Sequence, residues 1–172
     1  VRQYLASGVP VGEHLADQGM RKFIMLNAHG GNAPLMTIVA TELRARRRML
    51  AVATSWTRFG EPVGIVTPEE KANGIHGGEI ETSVMLALHP QLVRMEEARD
   101  FPSLQSEMAR TAKHLRAYGP HAFGWMASDL NPKGVVGHAK KGNADQGERL
   151  LAHAAEGFVE LIEDVRAFDV TR

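Results

Sequence analysis

The chain has 172 residues, of which 44% are apolar and 23% are charged, and this is the composition of an ordinary globular domain. Its 20 basic and 20 acidic side chains cancel, so charge gives no reason to expect nucleic acid or a membrane surface as a partner. With no Cys, the chain has neither disulfides nor thiolate ligands, and no apolar run is as long as a membrane span. These properties predict a cytoplasmic protein.

The first third of the chain predicts two helices and the first strand. Residues 2–18 have a helical pattern that Pro10 is expected to end or kink, and Gly19 is expected to stop it. Residues 22–26, KFIML, form a continuous apolar run of the kind that buried parallel strands show. A helix then begins at Asn32, which is expected to cap it.

The remaining elements continue the alternation of strands and helices, which predicts an α/β fold with a mainly parallel sheet. Helical spacing or a following Pro marks the helices, and short apolar runs mark the strands. We expect a strand at 50–56, a loop to about residue 75, a helix at 78–89, a helix at 103–117, a strand at 121–128, a loop at 131–143 and a helix at 144–168.

The stretch LNAHGGN places His29 between the first strand and the next helix. In parallel α/β folds, ligands bind beyond the carboxyl ends of the strands, which is where His29 is expected. Gly30 and Gly31 permit a tight turn and a close backbone approach to a ligand. The alternative is a plain Gly-rich turn without function. The turn also resembles a phosphate-binding loop, although neither of the usual phosphate-loop motifs is present.

A second cluster is HGGEIETS, which begins at His76. If a helix begins near Gly78, Glu81 shares its face with the apolar side chains that follow, which predicts a carboxylate on the buried stripe. Such a carboxylate is costly unless it binds a metal or is firmly hydrogen-bonded. Glu79 is better explained as a first-turn acid that the helix dipole favours. His76 precedes the helix and can project toward the same point as Glu81.

His29, His76 and Glu81 together have the character of part of a metal-hydrolase site. Nitrogen and oxygen donors without sulfur suit Zn²⁺, Mn²⁺ or Fe²⁺. A catalytic zinc site usually has three protein ligands, and this chain offers two convincing ones at most. We therefore expect the chain to bind its metal weakly, with His138 as the first candidate for a further ligand if binding is tight.

These segments resemble the creatininase (creatinine amidohydrolase) family. The carrying motifs are NAHGGN, HGGEIETSVMLALHP and NPKGVVGHAKKGNADQGERLL, which occur in the family's order over residues 27–151. The resemblance implies a doubly wound, three-layer α/β sandwich with helices on both faces of the sheet. It also implies hydrolysis of a non-peptide C–N or amide bond with divalent metals. Related branches deformylate a pyrimidine intermediate or trim a mycofactocin precursor peptide.

Carried over by position, the resemblance implies that His29 is a metal ligand, His76 a catalytic residue, and Glu81 a ligand or catalytic acid. Gly30, Gly31, Asn32 and Gly78 are then expected to face the substrate. Creatininase has Glu two residues after its metal-binding His, where this chain has Gly31, so creatinine is not the expected substrate. In the later motif, His138 stands where the family has Asp, which implies that this loop has changed partners.

The family's N-terminal portion, with its first strand and further metal ligands, has no counterpart in this sequence, which begins at Val1. We therefore expect residues 1–172 to form a single creatininase-like domain that is incomplete at its N-terminus. The leading hypothesis is a metal-dependent amidohydrolase with a small-molecule amide substrate and a homo-oligomeric state. The alternatives are a non-catalytic small-molecule-binding protein on the same fold and, with least support, a nucleotide-binding α/β domain.

Overall fold

The computed structural model describes residues 2–171, with side chains from residue 7 to residue 171. None of the helices in this part of the chain is long and apolar enough to span a bilayer. The helices and strands in chain order are α1 Arg2–Asp17, β1 Lys22–Asn27, α2 Ala33–Arg47, β2 Leu50–Ser55, α3 Pro68–Asn73, α4 Glu79–Leu88, β3 Asp100–Phe101, α5 Leu104–Thr111, α6 Ala127–Leu130, β4 Gly137–His138 and α7 Ala144–Ala167.

The chain divides into two compact units. The first comprises Val1–Gly60 and Ala154–Arg172, and the second comprises Glu61–His153. The boundary falls inside α7, whose first turns belong to the second unit and whose later turns belong to the first. The predicted metal ligand His29 therefore lies in the first unit, while His76 and Glu81 lie in the second.

The first unit contains a parallel sheet of β1 and β2, which confirms both predicted strands and their direction. Lys22 pairs with Leu50 and Asn27 pairs with Ser55, so the two strands begin and end level with each other. Ser55 Oγ donates to the backbone carbonyl of Asn27 at 3.2 Å and ties the carboxyl ends of the strands together. This edge of the sheet leads directly into the turn that carries His29.

The helices of the first unit pack closely because α1 has glycines where α2 has large side chains. A Cβ on Gly12 would lie 2.4 Å from Leu43, and a Cβ on Gly8 would lie 3.0 Å from Val39. Leu43 is fully buried and forms a core with residues of α1 and the strands. The apolar periodicity of α2 is thus explained by its packing against α1 and β2.

The predicted end of the first helix at Pro10 is wrong, because α1 is continuous from Arg2 to Asp17, and a kink at Pro10 stays a prediction. Proline removes one hydrogen-bond donor and crowds the preceding turn, which is the basis for expecting a break. Here Pro10 lies on the exposed side of α1, and the buried neighbours Val9 and Ala16 hold the helix against the core. The predicted stop is confirmed, since Gly19 follows the helix with a φ of +88°.

The second unit is built around α4 and a short antiparallel pair, β3 with β4. Asp100 pairs with His138, and Phe101 pairs with Gly137. Its core is the cluster of Ala117, Leu130 and Val136, against which Ile75, Leu104, Phe123 and Trp125 pack. The core therefore lies directly beside the segment that joins α3 to α4, which includes His76.

The sequence patterns predicted the long elements of the second unit and missed the short ones. The helices α4 and α7 are confirmed, and α5 is shorter than the predicted 103–117. The predicted loop up to residue 75 contains α3, and the predicted loop at 131–143 contains β4. The predicted strand at 121–128 is wrong, because Ala122 makes only an isolated bridge with Arg116 and α6 begins at Ala127. The missed elements have two to six residues and too few apolar side chains to form the runs or the periodicity by which the other elements were predicted.

Candidate metal and catalytic site

The turn after β1 is shaped by one buried side chain, Asn27. It is only 5% exposed, and its Nδ2 donates to the carbonyl of His29 at 2.7 Å. Its Oδ1 accepts from the His29 N–H at 3.2 Å and from Asn32 Nδ2 at 3.4 Å. Both backbone groups of His29 are therefore fixed, while its ring is exposed beyond the carboxyl edge of the sheet. This is the position expected for a ligand-binding group in a parallel α/β fold.

Of the two glycines after His29, Gly31 makes room for its ring. A Cβ on Gly31 would lie 2.9 Å from Nε2 of His29, whereas a Cβ on Gly30 would meet nothing within 4 Å. The expected cap by Asn32 is wrong: Asn32 occupies the cap position of α2 but makes no side-chain capping bond. Its amide instead bonds to Asn27, so it stabilises the turn and leaves Pro34 near the start of α2 to supply the preset helical geometry.

His76 lies in the second unit, where the chain enters α4. Its carbonyl accepts from the N–H of Val136 at 2.9 Å, and its ring meets Trp125 edge to face with centroids 6.2 Å apart. Trp125 is itself fixed, because its indole N–H donates to the carbonyl of Ala117 at 2.7 Å. Both the backbone and the ring of His76 are therefore oriented by neighbouring residues, and the ring is half-buried.

The burial predicted for Glu81 of HGGEIETS is wrong. Glu81 is exposed, and its Oε2 accepts from the backbone N–H of Gly77 at 2.5 Å. Glu79 lies in the first turn of α4, as predicted, and is the buried glutamate, at 7% exposure. The prediction failed because the apolar stripe of α4 is partly open, with Leu88 54% exposed. The face that Glu81 shares is therefore accessible.

Glu79 belongs to a buried polar network that links α4 to α7. Gln146 Nε2 donates to Glu79 Oε1 and to the carbonyl of Ile65, both at 2.7 Å. Ser83 Oγ lies 2.7 Å from both the Glu79 carbonyl oxygen and Gln146 Oε1. Oε2 of Glu79 is buried, and within the described part of the chain no group donates to it. Sequence reasoning missed this network, because its members are joined only by tertiary contacts.

A second buried carboxylate, that of Glu70, was also missed. It is 1% exposed and accepts hydrogen bonds from two backbone N–H groups, those of Glu79 and His138. Its sequence context, TPEE, indicates only the start of a helix, and Thr67 does cap α3 there. The available signal lay in the glycines, because Gly74, Gly78 and Gly137 all leave space that the Glu70 side chain fills.

His138 has a carboxylate partner of its own, Asp100. The Nδ1 of His138 lies 3.0 Å from Asp100 Oδ1, and Lys140 Nζ lies 3.0 Å from Asp100 Oδ2. The hydrogen bond from Lys140, followed by that from His138, holds the pKa of Asp100 below its ordinary value. His138, which stands where the creatininase motif has Asp, is thus bonded to Asp100 in the structure. Lys140 therefore forms an ion pair with Asp100.

In neither unit do three or more His, Asp or Glu side chains of the described residues converge to form a metal site. The roles assigned to His29, His76, Glu81 and the glycines therefore stay predictions. What the structure brings together in the first unit is Asn27, His29 and Asn32, and in the second unit His76 with Trp125 and Glu81 with Gly77.

The chain is similar to known proteins of one family in both sequence and fold. The model of the creatininase family, described as creatinine amidohydrolase, matches residues 4–162. The mycofactocin precursor peptide peptidase of Mycobacterium ulcerans (strain Agy99) is 26% identical over 141 residues, which cover 82% of this chain and 48% of that protein. The chain thus spans about half the length of this curated relative.

Two solved structures show the same fold. A creatinine amidohydrolase-type protein from Bacteroides fragilis NCTC 9343 is 28% identical with a TM-score of 0.70, covering 96% of this chain and 62% of that one. A creatininase described as its Mn form is 22% identical with a TM-score of 0.68, covering 95% of this chain and 63% of that one. The predicted α/β creatininase-like fold is confirmed. On the match across residues 4–162, the chain belongs to the creatininase family.

Proposed function

We propose that this protein is a metal-dependent hydrolase of a C–N bond in an amide or cyclic amide. The observation that carries the proposal is the His29 turn: its backbone is fixed by the buried Asn27 and its ring is exposed at the carboxyl edge of the parallel sheet. The family match supports it, since the creatininases are named for a cyclic amide and the curated relative for a peptide. The carbonyl carbon of an amide is the common electrophile.

The donor groups fit a divalent cation of the Zn²⁺, Mn²⁺ or Fe²⁺ type. Among the described residues, neither ring nitrogen of His29 takes part in a hydrogen bond, and Glu81 has one oxygen engaged with Gly77 and is otherwise exposed. An imidazole and a carboxylate are suitable ligands for these metals. We assign His29 as a ligand and Glu81 as a ligand or water-binding group. A bound cation supplies Lewis-acid polarisation of the carbonyl and acidifies a water nucleophile.

His76 is assigned to proton transfer or to stabilisation of the developing oxyanion. Its half-buried ring is oriented by Trp125 and its backbone by Val136, so it is held in place before substrate binds. A general acid has to reach the leaving nitrogen within hydrogen-bond distance, and such orientation lowers the entropic cost of that step. Glu81 accepts from the N–H of Gly77, the residue after His76, and so also fixes this segment.

The substrate is proposed to be a small molecule, and Gly30, Gly31, Asn32 and Gly78 are the residues assigned to binding it. Gly30 is open on its side-chain side, which permits a close backbone approach at the His29 turn. Gly31 and Asn32 complete that turn and are assigned to substrate binding. Gly78, at the amino end of α4, is assigned to substrate binding as well. Because Gly31 stands where creatininase has Glu, a substrate other than creatinine is proposed.

A non-catalytic small-molecule-binding protein on the same fold is the second candidate. One observation favours it. Within each unit, no three His, Asp or Glu side chains of the described residues lie close enough together to hold a metal ion. A cation held by two protein groups is bound weakly, since tight catalytic sites have at least three ligands and an open position. On this hypothesis the protein binds a small amide without hydrolysing it.

The two candidates differ in metal binding and in turnover. Purified protein is titrated with Mn²⁺ and Zn²⁺ by calorimetry and assayed for amine or carboxylate release from a panel of cyclic and linear amides. The hydrolase predicts metal-dependent turnover that His29→Ala abolishes, while His89→Ala, a change at an exposed histidine after α4, leaves it intact. Saturable amide binding without any release, unchanged in His29→Ala, would support the binding protein instead.

We further propose that the protein is cytoplasmic and self-associates, with neither nucleic acid nor membrane among its partners. The absence of Cys supports a reducing compartment, and the balanced charge supports the exclusion of nucleic acid and membranes as partners. Self-association is supported by exposed apolar side chains in the first unit, such as Leu26 and Ile38. Light scattering of the purified protein across a dilution series tests it, and a monomer at all concentrations is the contrary result.

A further inference from the structure

The carboxylate of Glu70 is buried, and each of its oxygens accepts a hydrogen bond from a backbone group. Glu70 is 1% exposed and is the second of two glutamates in the first turn of α3. Its Oε1 accepts from the N–H of Glu79 at 2.7 Å, and its Oε2 accepts from the N–H of His138 at 2.8 Å. These donors come from two segments that are far apart in the chain, so one side chain fixes the start of α4 against β4.

Three glycines surround the same carboxylate and leave no space for a side chain of their own. A Cβ on Gly74 would lie 1.9 Å from Glu70 Oε1, one on Gly78 would lie 2.2 Å away and one on Gly137 would lie 2.6 Å away. Gly78 and Gly137 are glycines of the two later family motifs, HGG and GVVG. At Gly78 the carboxylate occupies the volume of the missing side chain. At Gly137 it does so together with the Cα of Gly74, which would lie 2.5 Å from a Cβ, and a φ of +102° also favours glycine there.

The negative charge of Glu70 is stabilised without a cationic side chain. Within residues 7–171, no Lys, Arg or His forms an ion pair with it. The N–H of Glu79 is instead at the amino end of α4, where the helix dipole favours an anion. A glutamine of the same shape would have to direct its amide N–H₂ at one of two backbone N–H groups, so it is not an equivalent substitute.

His76 lies between the two segments that Glu70 joins. Gly77 and Gly78 connect it to Glu79, and its carbonyl is bonded to the N–H of Val136, two residues before His138. We infer that Glu70 is the positioning residue of the site: its buried carboxylate holds the amino end of α4 and the β4 strand so that His76 is fixed against Trp125. The placement of His76 by Glu70 is inferred from geometry alone. The effect of this placement on catalysis rests on the proposed function.

The first test compares two glutamates that are adjacent in the sequence. Glu70→Gln removes the buried charge, and Glu69→Gln removes an exposed one from the same helix as a matched control. The placement of the His76 ring is measured by NMR, from the ring-current shift that Trp125 imposes on the His76 Hε1 proton. The contribution of Trp125 to this shift is identified with Trp125→Phe. We expect this shift to be lost in Glu70→Gln and retained in Glu69→Gln. Turnover is expected to fall about 100-fold in Glu70→Gln through kcat rather than KM.

The second test probes the contact itself through Gly74, because all three atoms nearest to a Cβ there belong to the Glu70 carboxylate. Gly74→Ala is expected to lower Tm by about 5–10 °C in the natural background. In a Glu70→Ala background, the same change is expected to lower Tm by less than about 2 °C, because the obstructing atoms are gone. Gly124→Ala, whose Cβ would meet nothing within 4 Å, serves as the control.

A third measurement needs no variant. In the unaltered protein, the amides of Glu79 and His138 are expected to exchange slowly with deuterium, since both are bonded to a buried acceptor. Exchange as fast as that of exposed loop amides would overturn the inference, as would an unchanged His76 shift in Glu70→Gln or equal Tm losses in the two Gly74→Ala backgrounds. If the placement results hold and no amide is hydrolysed, the proposed function fails while the positioning role stands.

Discussion

The two regions that carry the motif residues are built in opposite ways. The turn after β1 is short, exposed and local: one asparagine, Asn27, binds residues two and five positions further along the chain. The entry to α4 is buried and assembled from distant segments, with Glu70 reaching His138 and Glu79 reaching Gln146. A binding residue can thus be positioned either by its sequence neighbours or by a tertiary polar network. We expect the stability of the two regions to respond differently to substitution.

The largest effect is expected from Gly147→Ala, where α7 packs against α4. A Cβ there would lie 2.0 Å from the backbone carbonyl oxygen of Ser83, and backbone cannot move aside as a side chain can. We expect a loss of about 3 kcal/mol in the free energy of unfolding, measured by urea denaturation. Gly124→Ala is the control and should change it by less than about 0.5 kcal/mol. Similar values for the two variants would show that the α4 region is less tightly packed than the comparison assumes.

An intermediate effect is expected from Asn27→Ala, which removes the side chain that shapes the His29 turn. The N–H of His29 loses its acceptor, and the His29 carbonyl keeps only the N–H of Asn32, at a cost of about 2 kcal/mol. The effect should stay local, so the His29 amide is expected to exchange faster with deuterium, whereas the amides of α4 keep their protection. Loss of protection in both regions would contradict the view that this turn is held by its own sequence neighbours.

The predictability of the two regions follows from the same difference. The long elements β1, α2, β2, α4 and α7 and the location of the His29 turn could be predicted, because periodicity, glycine and strand order act over short stretches. The burial of Glu79 and the exposure of Glu81 could not, since they depend on what packs against α4. Glu70 gave no local signal at all, because its donors and its three glycines meet it only in the folded second unit.

A smaller effect is expected from Glu79→Gln, which sharpens the contrast between two buried glutamates. Glu70 has both oxygens bonded, whereas Oε2 of Glu79 has no donor among the described residues. Replacing the carboxylate of Glu79 with an amide removes a poorly satisfied charge and keeps the bond to Gln146, so stability should change by less than about 1 kcal/mol. Glu70→Gln measured in parallel should cost clearly more. Equal costs would mean that Oε2 of Glu79 has a partner in solution.

The smallest effect is expected at the exposed rim of the second unit, from Asp100→Asn. Lys140, and then His138, hold the pKa of Asp100 below its ordinary value, so the folded state favours the ionised carboxyl. The stabilisation is present above the pKa of the unfolded chain, near about 4, and is lost as the pH falls through the lower folded value. The stability difference between the natural protein and Asp100→Asn should therefore shrink between about pH 5 and pH 2. A difference that grows on acidification would reverse the assigned direction.

The carboxylate of Glu70 also has a consequence for the order in which the chain folds. Glu70 and His138 are 68 residues apart, and the helix α3 alone offers the carboxylate no replacement for the water it loses on burial. A state in which only α4 or only β4 has docked leaves a dehydrated anion with a single donor, which is unfavourable. The two segments should therefore join α3 in one kinetic step. The second unit is expected to show its rate-limiting barrier at this long-range closure rather than at the formation of any of its helices.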